Sequence, residues 1–324
     1  MVRPGSGEVL ALCGGVGGSK LALGLQKVVE PGDLTVVVNT GDDFEHLGLH
    51  ISPDIDTVTY TLAEVSDPVR GWGRAEESWN FMAALSALGG PDWFMLGDGD
   101  LATHVLRSQR LRSGASLSAV TAALARALDV AAHILPMSDD PVRTRVHTPD
   151  GVLAFQEYFV GRRCEPRVTR LTFEGAQQAA PHPRLMRALA DPDLAAVIIC
   201  PSNPYLSIDP LLALPGVRDA LARTSAPVVA VSPLVGGKAV KGPTGKIMAE
   251  LGLEVSNRAV CSHYEGILDG YVIDVGDAGD VVRLPVAASV TRTLMATLED
   301  RIDLARNVLE FAASLPPRSS REDA

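Results

Sequence analysis

Residues 9–20 read Val-Leu-Ala-Leu-Cys-Gly-Gly-Val-Gly-Gly-Ser-Lys, an unbroken apolar run followed by two glycine pairs, a serine and a lysine. Five consecutive apolar residues bounded by glycine predict a short strand covered on both faces. A helical stretch is expected from Ser19 to Val29, so the unit reads as strand, glycine turn and helix, the place where backbone amides and a helix N-terminus bind phosphate. Glycine lets an anion approach the backbone closely. The dinucleotide fingerprint is incomplete, because Gly15-Val16-Gly17 supplies G-x-G but Lys20 stands where a third small residue belongs. No G-K-[ST] ending makes a Walker loop either.

The same rhythm recurs outward from this unit. Leu34 to Val38, Trp93 to Leu96, Ala195 to Cys200, Val228 to Ser232 and Tyr271 to Val275 are short apolar runs separated by helical stretches. They predict an α/β, Rossmann-like fold with a mostly parallel sheet and helices on both faces. Between about Asp139 and Phe173 the strands turn polar around Thr148-Pro149-Asp150-Gly151, which predicts a small inserted β-hairpin lobe, about 139–175. Leu298 to Leu315 has helical spacing and stops before Pro316-Pro317. One α/β domain over 8–315 and a frayed tail over 316–324 are therefore expected.

Composition narrows the classes of function. The chain has 324 residues, 46% of them apolar, and a net charge of −10 without a basic run, which argues against a nucleic-acid partner. Cys13, Cys164, Cys200 and Cys261 are too scattered for a zinc site or a disulfide framework. The apolar run from Val9 to Cys13 is too brief for a signal or a membrane span, so a cytoplasmic protein with no membrane partner is expected.

Carboxylates gather beyond the second strand. Asn39-Thr40-Gly41-Asp42-Asp43 and Ser52-Pro53-Asp54-Ile55-Asp56-Thr57 bring four to the carboxyl edge of an open sheet, where ligands bind. Ser52 is a suitable N-cap and Pro53 a suitable first helical residue. Asp54 alone could be explained by the positive helix end; the remainder suit Mg²⁺ bridging substrate phosphates. In Leu96-Gly97-Asp98-Gly99-Asp100, Asp98 is a candidate hydroxyl-binding group and Asp100 a candidate helix cap. His104 reads more readily as a packed, hydrogen-bonded histidine than as a base. Cys200-Pro201-Ser202-Asn203-Pro204, followed by Ser207, makes a rigid loop able to read a nucleoside, and Lys238 to Lys246 a basic loop able to close over a diphosphate.

Taken together and in order, these motifs, with Leu135-Pro-Met-Ser-Asp-Asp-Pro141 and Gly242-Pro-Thr-Gly-Lys246, closely resemble the 2-phospho-L-lactate transferase family of coenzyme F(420) biosynthesis. The resemblance runs from about residue 8 to 280. It implies a Mg²⁺-dependent, homodimeric enzyme that joins the ribityl hydroxyl of a deazaflavin (7,8-didemethyl-8-hydroxy-5-deazariboflavin) to a phosphorylated three-carbon acid. That acid, phospholactate, phosphoenolpyruvate or 3-phosphoglycerate, arrives as a guanosine diphosphate ester, and GMP leaves. It further implies that Gly14, Gly15, Gly17, Gly18, Ser19, Lys20, Ser202, Asn203 and Ser207 bind the nucleotide. Asp43 and Asp56 would be metal ligands and catalytic groups, with Asp56 the better candidate base, and Asp56, Thr57, Met95 and Asp98 would meet the deazaflavin. Two other readings remain open at this stage. A nicotinamide-dependent oxidoreductase would want an acid where Asn39 ends the second strand; a nucleotide sensor would bind without turnover.

Overall fold

The computed structural model describes residues 7–240, 242–316 and 318. Among these residues, seven parallel strands form the main sheet: β1 (Val9–Cys13), β2 (Leu34–Val38), β3 (His133–Pro136), β4 (Ala196–Ile199), β5 (Val228–Val231), β6 (Gly270–Asp274) and β7 (Ala287–Thr291). Their spatial order is β3-β2-β1-β4-β5-β6-β7, with every pairing parallel. The order reverses between β1 and β4, and a crevice opens beyond the strand ends at such a switch point.

The alternation of side chains along the strands builds two cores. Leu10, Leu12, Val197 and Ile199 join one cluster, whereas Val9, Ala11, Cys13, Ala196 and Ile198 join the other. A strand whose successive residues are all buried needs cover on both faces. Helices α1 (Gly15–Val28), α2 (Pro53–Leu62) and α6 (Leu298–Ser314) supply it on the second side. A side chain at Gly24 would collide with the Arg301 carbonyl, so glycine there sets the close approach of α1 to α6. The start of α6 is fixed by a reciprocal capping box between Thr297 and Asp300. Two further helices flank the middle of the chain, α4 (Asp98–Arg112) and α5 (Leu117–Ala127), preceded by the short α3 (Asn80–Ala87).

Four local expectations are corrected. The first helix begins at Gly15 rather than Ser19: the glycines form its opening turn, held by contacts from other segments that outweigh glycine's poor helix propensity. Trp93 to Leu96 is not a strand. Its rings pack against Phe44 and His46 of the hairpin Phe44–His46/Leu49–Ile51, and side-chain packing rather than intrinsic β preference decides such short runs. Ser52 does not cap α2; its hydroxyl donates to Asp43 instead, at 2.9 Å, since a buried carboxylate needs the donor more. Two strands of the main sheet, β3 and β7, lie outside the expected set.

The lobe carries a third strand besides its hairpin. Arg143–Thr148 pairs antiparallel with Gly151–Ala154 and with Arg170–Glu174, and its Val146, Phe155 and Tyr158 share the core of Leu12 and Val197. Of the tail 316–324, all but Pro316 and Arg318 lies outside the described residues. Arg318 is tied down by Asp269 at 2.8 Å and by the Leu221 carbonyl at 2.6 Å. No helix among the described residues is long and apolar enough to cross a membrane.

Candidate active site

A cavity of about 600 Å³ opens at the switch point, a volume suited to a nucleotide with a second small molecule. One part of its wall is the opening turn of α1. The first four N–H groups of a helix lack intrahelical partners; Gly14 donates to Ser202 Oγ at 3.1 Å and Gly15 to Asp54 Oδ1 at 2.8 Å. The amides of Val16 and Gly17 remain as first-turn donors, and both residues line the cavity. Ser202 also donates to the Gly14 carbonyl at 2.8 Å, so β4's loop pins β1's loop. A Cβ at Gly17 would lie 2.6 Å from the Pro201 carbonyl oxygen; only glycine fits that crossing.

The expected nucleotide residues divide. Gly14, Gly15, Gly17, Lys20, Ser202, Asn203 and Ser207 line the cavity, whereas Gly18 and Ser19 face inward, Gly18 against Ser202 and Cys13, Ser19 donating to the Val16 carbonyl. Lys20 Nζ donates to the Met295 carbonyl at 2.8 Å. Asn203 caps the next turn with its oxygen, while its Nδ2 is buried without a protein partner. The basic loop contributes Val240, Gly242, Pro243 and Thr244 to the wall. Lys246 instead joins Glu250 at 2.6 Å and lies over the Tyr158 ring; Lys241 lies outside the described residues.

Beside the glycine turn sit three interacting carboxylates. Burial raises Asp54 to about 6, against hydrogen bonds from Asn39 and Gly15 that lower it, and the charge of Asp43 adds to the rise. Burial likewise pushes Asp42 well above its ordinary value, with Asp54 and Asp43 contributing. Asp42 and Asp54 line the cavity; Asp43 does not, and its Oδ2 accepts from Ser52 at 2.9 Å and meets His50 Nε2 at 3.1 Å. The Oδ1 atoms of Asp42 and Asp43 are buried and unpartnered. Orphaned carboxylate oxygens grouped in this way, beside open first-turn amides, fit a hard divalent cation such as Mg²⁺.

Asp56 is placed differently. It lines the cavity with Thr57, but both its oxygens are engaged by the buried guanidinium of Arg107, one at 3.0 Å from Nη1 and the other by Nη2. Arg107 Nη1 also lies 3.2 Å from His104 Nδ1. His104 Nε2 is 3.2 Å from Asp100 Oδ2, too poorly aligned for a hydrogen bond, and Asp100 Oδ1 accepts from the Tyr60 hydroxyl at 2.7 Å. Burial alone would raise the Asp100 carboxyl, but His104, Tyr60 and Arg107 hold it below its usual range. Thus Asp100 is more than a helix cap, and His104, packed as expected, still lines the cavity.

The remaining wall is aromatic. Trp72, Trp93, Phe94 and Phe159 line it with Met95, a surface suited to a flat conjugated ring. Asp98 is not part of this wall: it caps α3 by accepting from the amides of Asn80 and Phe81 at 3.1 and 3.0 Å, and from Ser78 Oγ at 2.6 Å. In return Glu77 accepts from the amides of Gly99 and Asp100 at the start of α4. Sequence reasoning named Arg107 on its helix without giving it a role, and passed over Tyr60, Asn39 as the partner of Asp54 at 2.9 Å, and the aromatic segment around Trp72. The signal available for Arg107 was its helical spacing from Thr103 and His104, in a helix whose buried face is polar.

Known proteins resemble this chain over most of its length. The family described as 2-phospho-L-lactate transferase CofD matches residues 9–301. A phosphoenolpyruvate transferase of Streptomyces griseus is 41% identical over 314 residues, 94% of this chain and 98% of the relative. A 2-phospho-L-lactate transferase of Methanosarcina mazei is 39% identical over 305 residues, 93% of this chain and 99% of the relative. The crystal structure of a UPF0052 family member from Bacillus halodurans superposes with a TM-score of 0.63 at 17% identity, covering 94% of this chain and 99% of that one, which speaks to the fold alone.

Proposed function

The chain belongs to the 2-phospho-L-lactate transferase CofD family, and from that premise we propose that it transfers a phosphorylated three-carbon acid from its guanosine diphosphate ester to the ribityl hydroxyl of the deazaflavin. The observation that supports the proposal is one cavity that joins the open amides of the glycine turn, the Asp42 and Asp54 carboxylates and an aromatic wall. The phosphorus that bears the three-carbon acid forms a bond to the ribityl oxygen, its bond to the bridging oxygen breaks, the hydroxyl proton passes to the Asp56 carboxylate and on to solvent, and GMP departs with the bridging oxygen.

Charge decides where the donor sits. The amides of Val16 and Gly17, with Lys20, would receive the diphosphate, but Asp54 is an anion at the same helix start. Asp42, Asp43 and Asp54 would hold Mg²⁺, which when bound supplies charge neutralisation on the phosphoryl oxygens. Asn203 Nδ2, buried at the cavity wall without a protein partner, would donate to the nucleoside. Asp56 and Thr57 would orient the ribityl hydroxyl in line with the phosphorus. Trp93, Met95 and their neighbours would cover the deazaflavin and exclude water, which would otherwise compete as nucleophile.

Incubating the protein with the deazaflavin, Mg²⁺ and each guanosine donor, then weighing the product, tests this reading. The expected outcome is one equivalent of GMP per deazaflavin phosphodiester, and the product mass identifies the acid. GMP release that does not depend on the deazaflavin, or no product from any donor, overturns it.

A further inference from the structure

Asp56, Asp100 and His104 offer ligand atoms within 4.8 Å of one another, all buried, which is the composition of a metal site. Their surroundings argue for a different use. Arg107 is the bulkiest of the fully buried side chains, with 1% of its side chain exposed. It grips Asp56 through both terminal nitrogens, the fork geometry in which arginine matches a carboxylate. A divalent cation among these ligands would share Asp56 with a guanidinium nitrogen already 3.0 Å from its oxygen, and two positive charges on one buried carboxylate repel each other.

The directions of the hydrogen bonds follow from the same residue. A guanidinium only donates, so His104 Nδ1 accepts from Arg107 and the ring proton sits on Nε2, toward Asp100. Asp100 in turn takes the Tyr60 hydroxyl. Asp56, Asp100, Tyr60 and His104 line the cavity while Arg107 lies behind them, and its fork fixes the orientation of the Asp56 carboxylate. Each Asp56 oxygen keeps a second lone pair beyond those facing Arg107.

Resting on the transferase reading above, we infer that Arg107 is a positioning residue: it occupies the place of a second cation and aims Asp56 as a fixed acceptor for the hydroxyl of the incoming alcohol. Arg107 touches no substrate itself, and its effect passes through Asp56. Arg107→Lys keeps a positive charge but loses the fork, and Arg107→Met tests removal of charge with similar bulk.

The decisive measurement is a double-mutant cycle of transfer kinetics with Asp56→Asn, accompanied by melting curves for each protein. The expected result is a fall in kcat of about 10- to 100-fold for Arg107→Lys, with KM for the guanosine donor and the Mg²⁺ concentration for half-maximal rate unchanged. Adding Arg107→Lys to Asp56→Asn should cost no further rate, as coupled residues behave. Wild-type kcat in folded Arg107→Lys, multiplicative losses in the double variant, or a shifted Mg²⁺ requirement overturns the inference. If Arg107→Met does not fold, Arg107→Lys alone decides through the same kcat and cycle. A wild-type protein that turns over no donor overturns the transferase reading itself, and this assignment with it; a competent wild type whose variants behave otherwise than stated overturns only the assignment.

Discussion

Two aspartates open helices on the same cavity side of the sheet, and their environments are opposite. Asp54, in the first turn of α2, is buried among other carboxylates and rises to about 6, chiefly because burial penalises its charge. Asp98, at the start of α4, is lowered to about 2 by Ser78 and the amides of Phe81 and Asn80. The region around Asp98 is built for stability: each acid there answers a helix N-terminus, Asp98 that of α3 and Glu77 that of α4. The glycine-turn region is built against it. Three acids crowd where two amides stand open, an arrangement that the cation and phosphate of the proposed reaction would relieve. Unfavourable charges in the free protein point to a candidate for chemistry; satisfied charges such as those of Asp98 and Glu77 mark scaffolding.

The contrast is broken most severely at Asp54. Asp54→Asn should lower kcat by about 10²–10³-fold and raise the Mg²⁺ needed for half-maximal rate, read from initial rates against Mg²⁺ concentration, whereas Asp98→Asn should leave the Mg²⁺ dependence where it is. At the aromatic wall, Trp93→Ala removes ring contact of the kind that contributes about 1–3 kcal/mol to stacking. The expected result is a KM for the deazaflavin about 10- to 100-fold higher with the donor KM unchanged, measured by varying each substrate in turn.

Gly17→Ala probes the turn itself. Its Cβ would press on a backbone carbonyl that cannot swing aside, so the loop must shift, at a cost of about 1–3 kcal/mol in urea unfolding and with a weaker donor KM. The smallest effect is the pH signature. Asp54 binds its proton more tightly folded than unfolded, so in metal-free buffer its contribution to stability falls as pH rises from about 4 through about 6. Asp98 has the reverse sign: its contribution is present above about 4 and is lost as pH falls toward about 2. Melting temperatures across pH should lose the first trend in Asp54→Asn and the second in Asp98→Asn, and Mg²⁺ at neutral pH should raise the melting temperature of the wild type more than that of Asp54→Asn.

Much of the fold was legible in the order of residues, and the reason is local. Runs such as Val9–Cys13 and Val228–Val231 are apolar at every position because both faces are covered, and glycines at 14–18 announce a tight strand-to-helix passage whatever surrounds them. Strand β3 escaped because it opens with an exposed histidine and closes with a proline, and β7 because its residues are small and half-covered. Trp93 to Leu96 misled because four apolar residues state how much they must bury, not against what.

The candidate site shows the same division. Its glycines, Ser202, Asn203 and the acids near the sheet edge stand in short motifs, so their types and positions follow from sequence. Which acid does what does not. Asp56 belongs to Arg107, 51 residues away, and Asp54 to Gly15 and Asn39, 39 and 15 residues away; a carboxylate's role is set by the partners that reach it through space. Sequence by itself thus determined that a glycine turn opening a helix and a reserve of negative charge meet at one sheet edge. Only the tertiary structure decided which charges are left unpaired for a ligand, because burial and hydrogen-bond partners are properties of the folded neighbourhood.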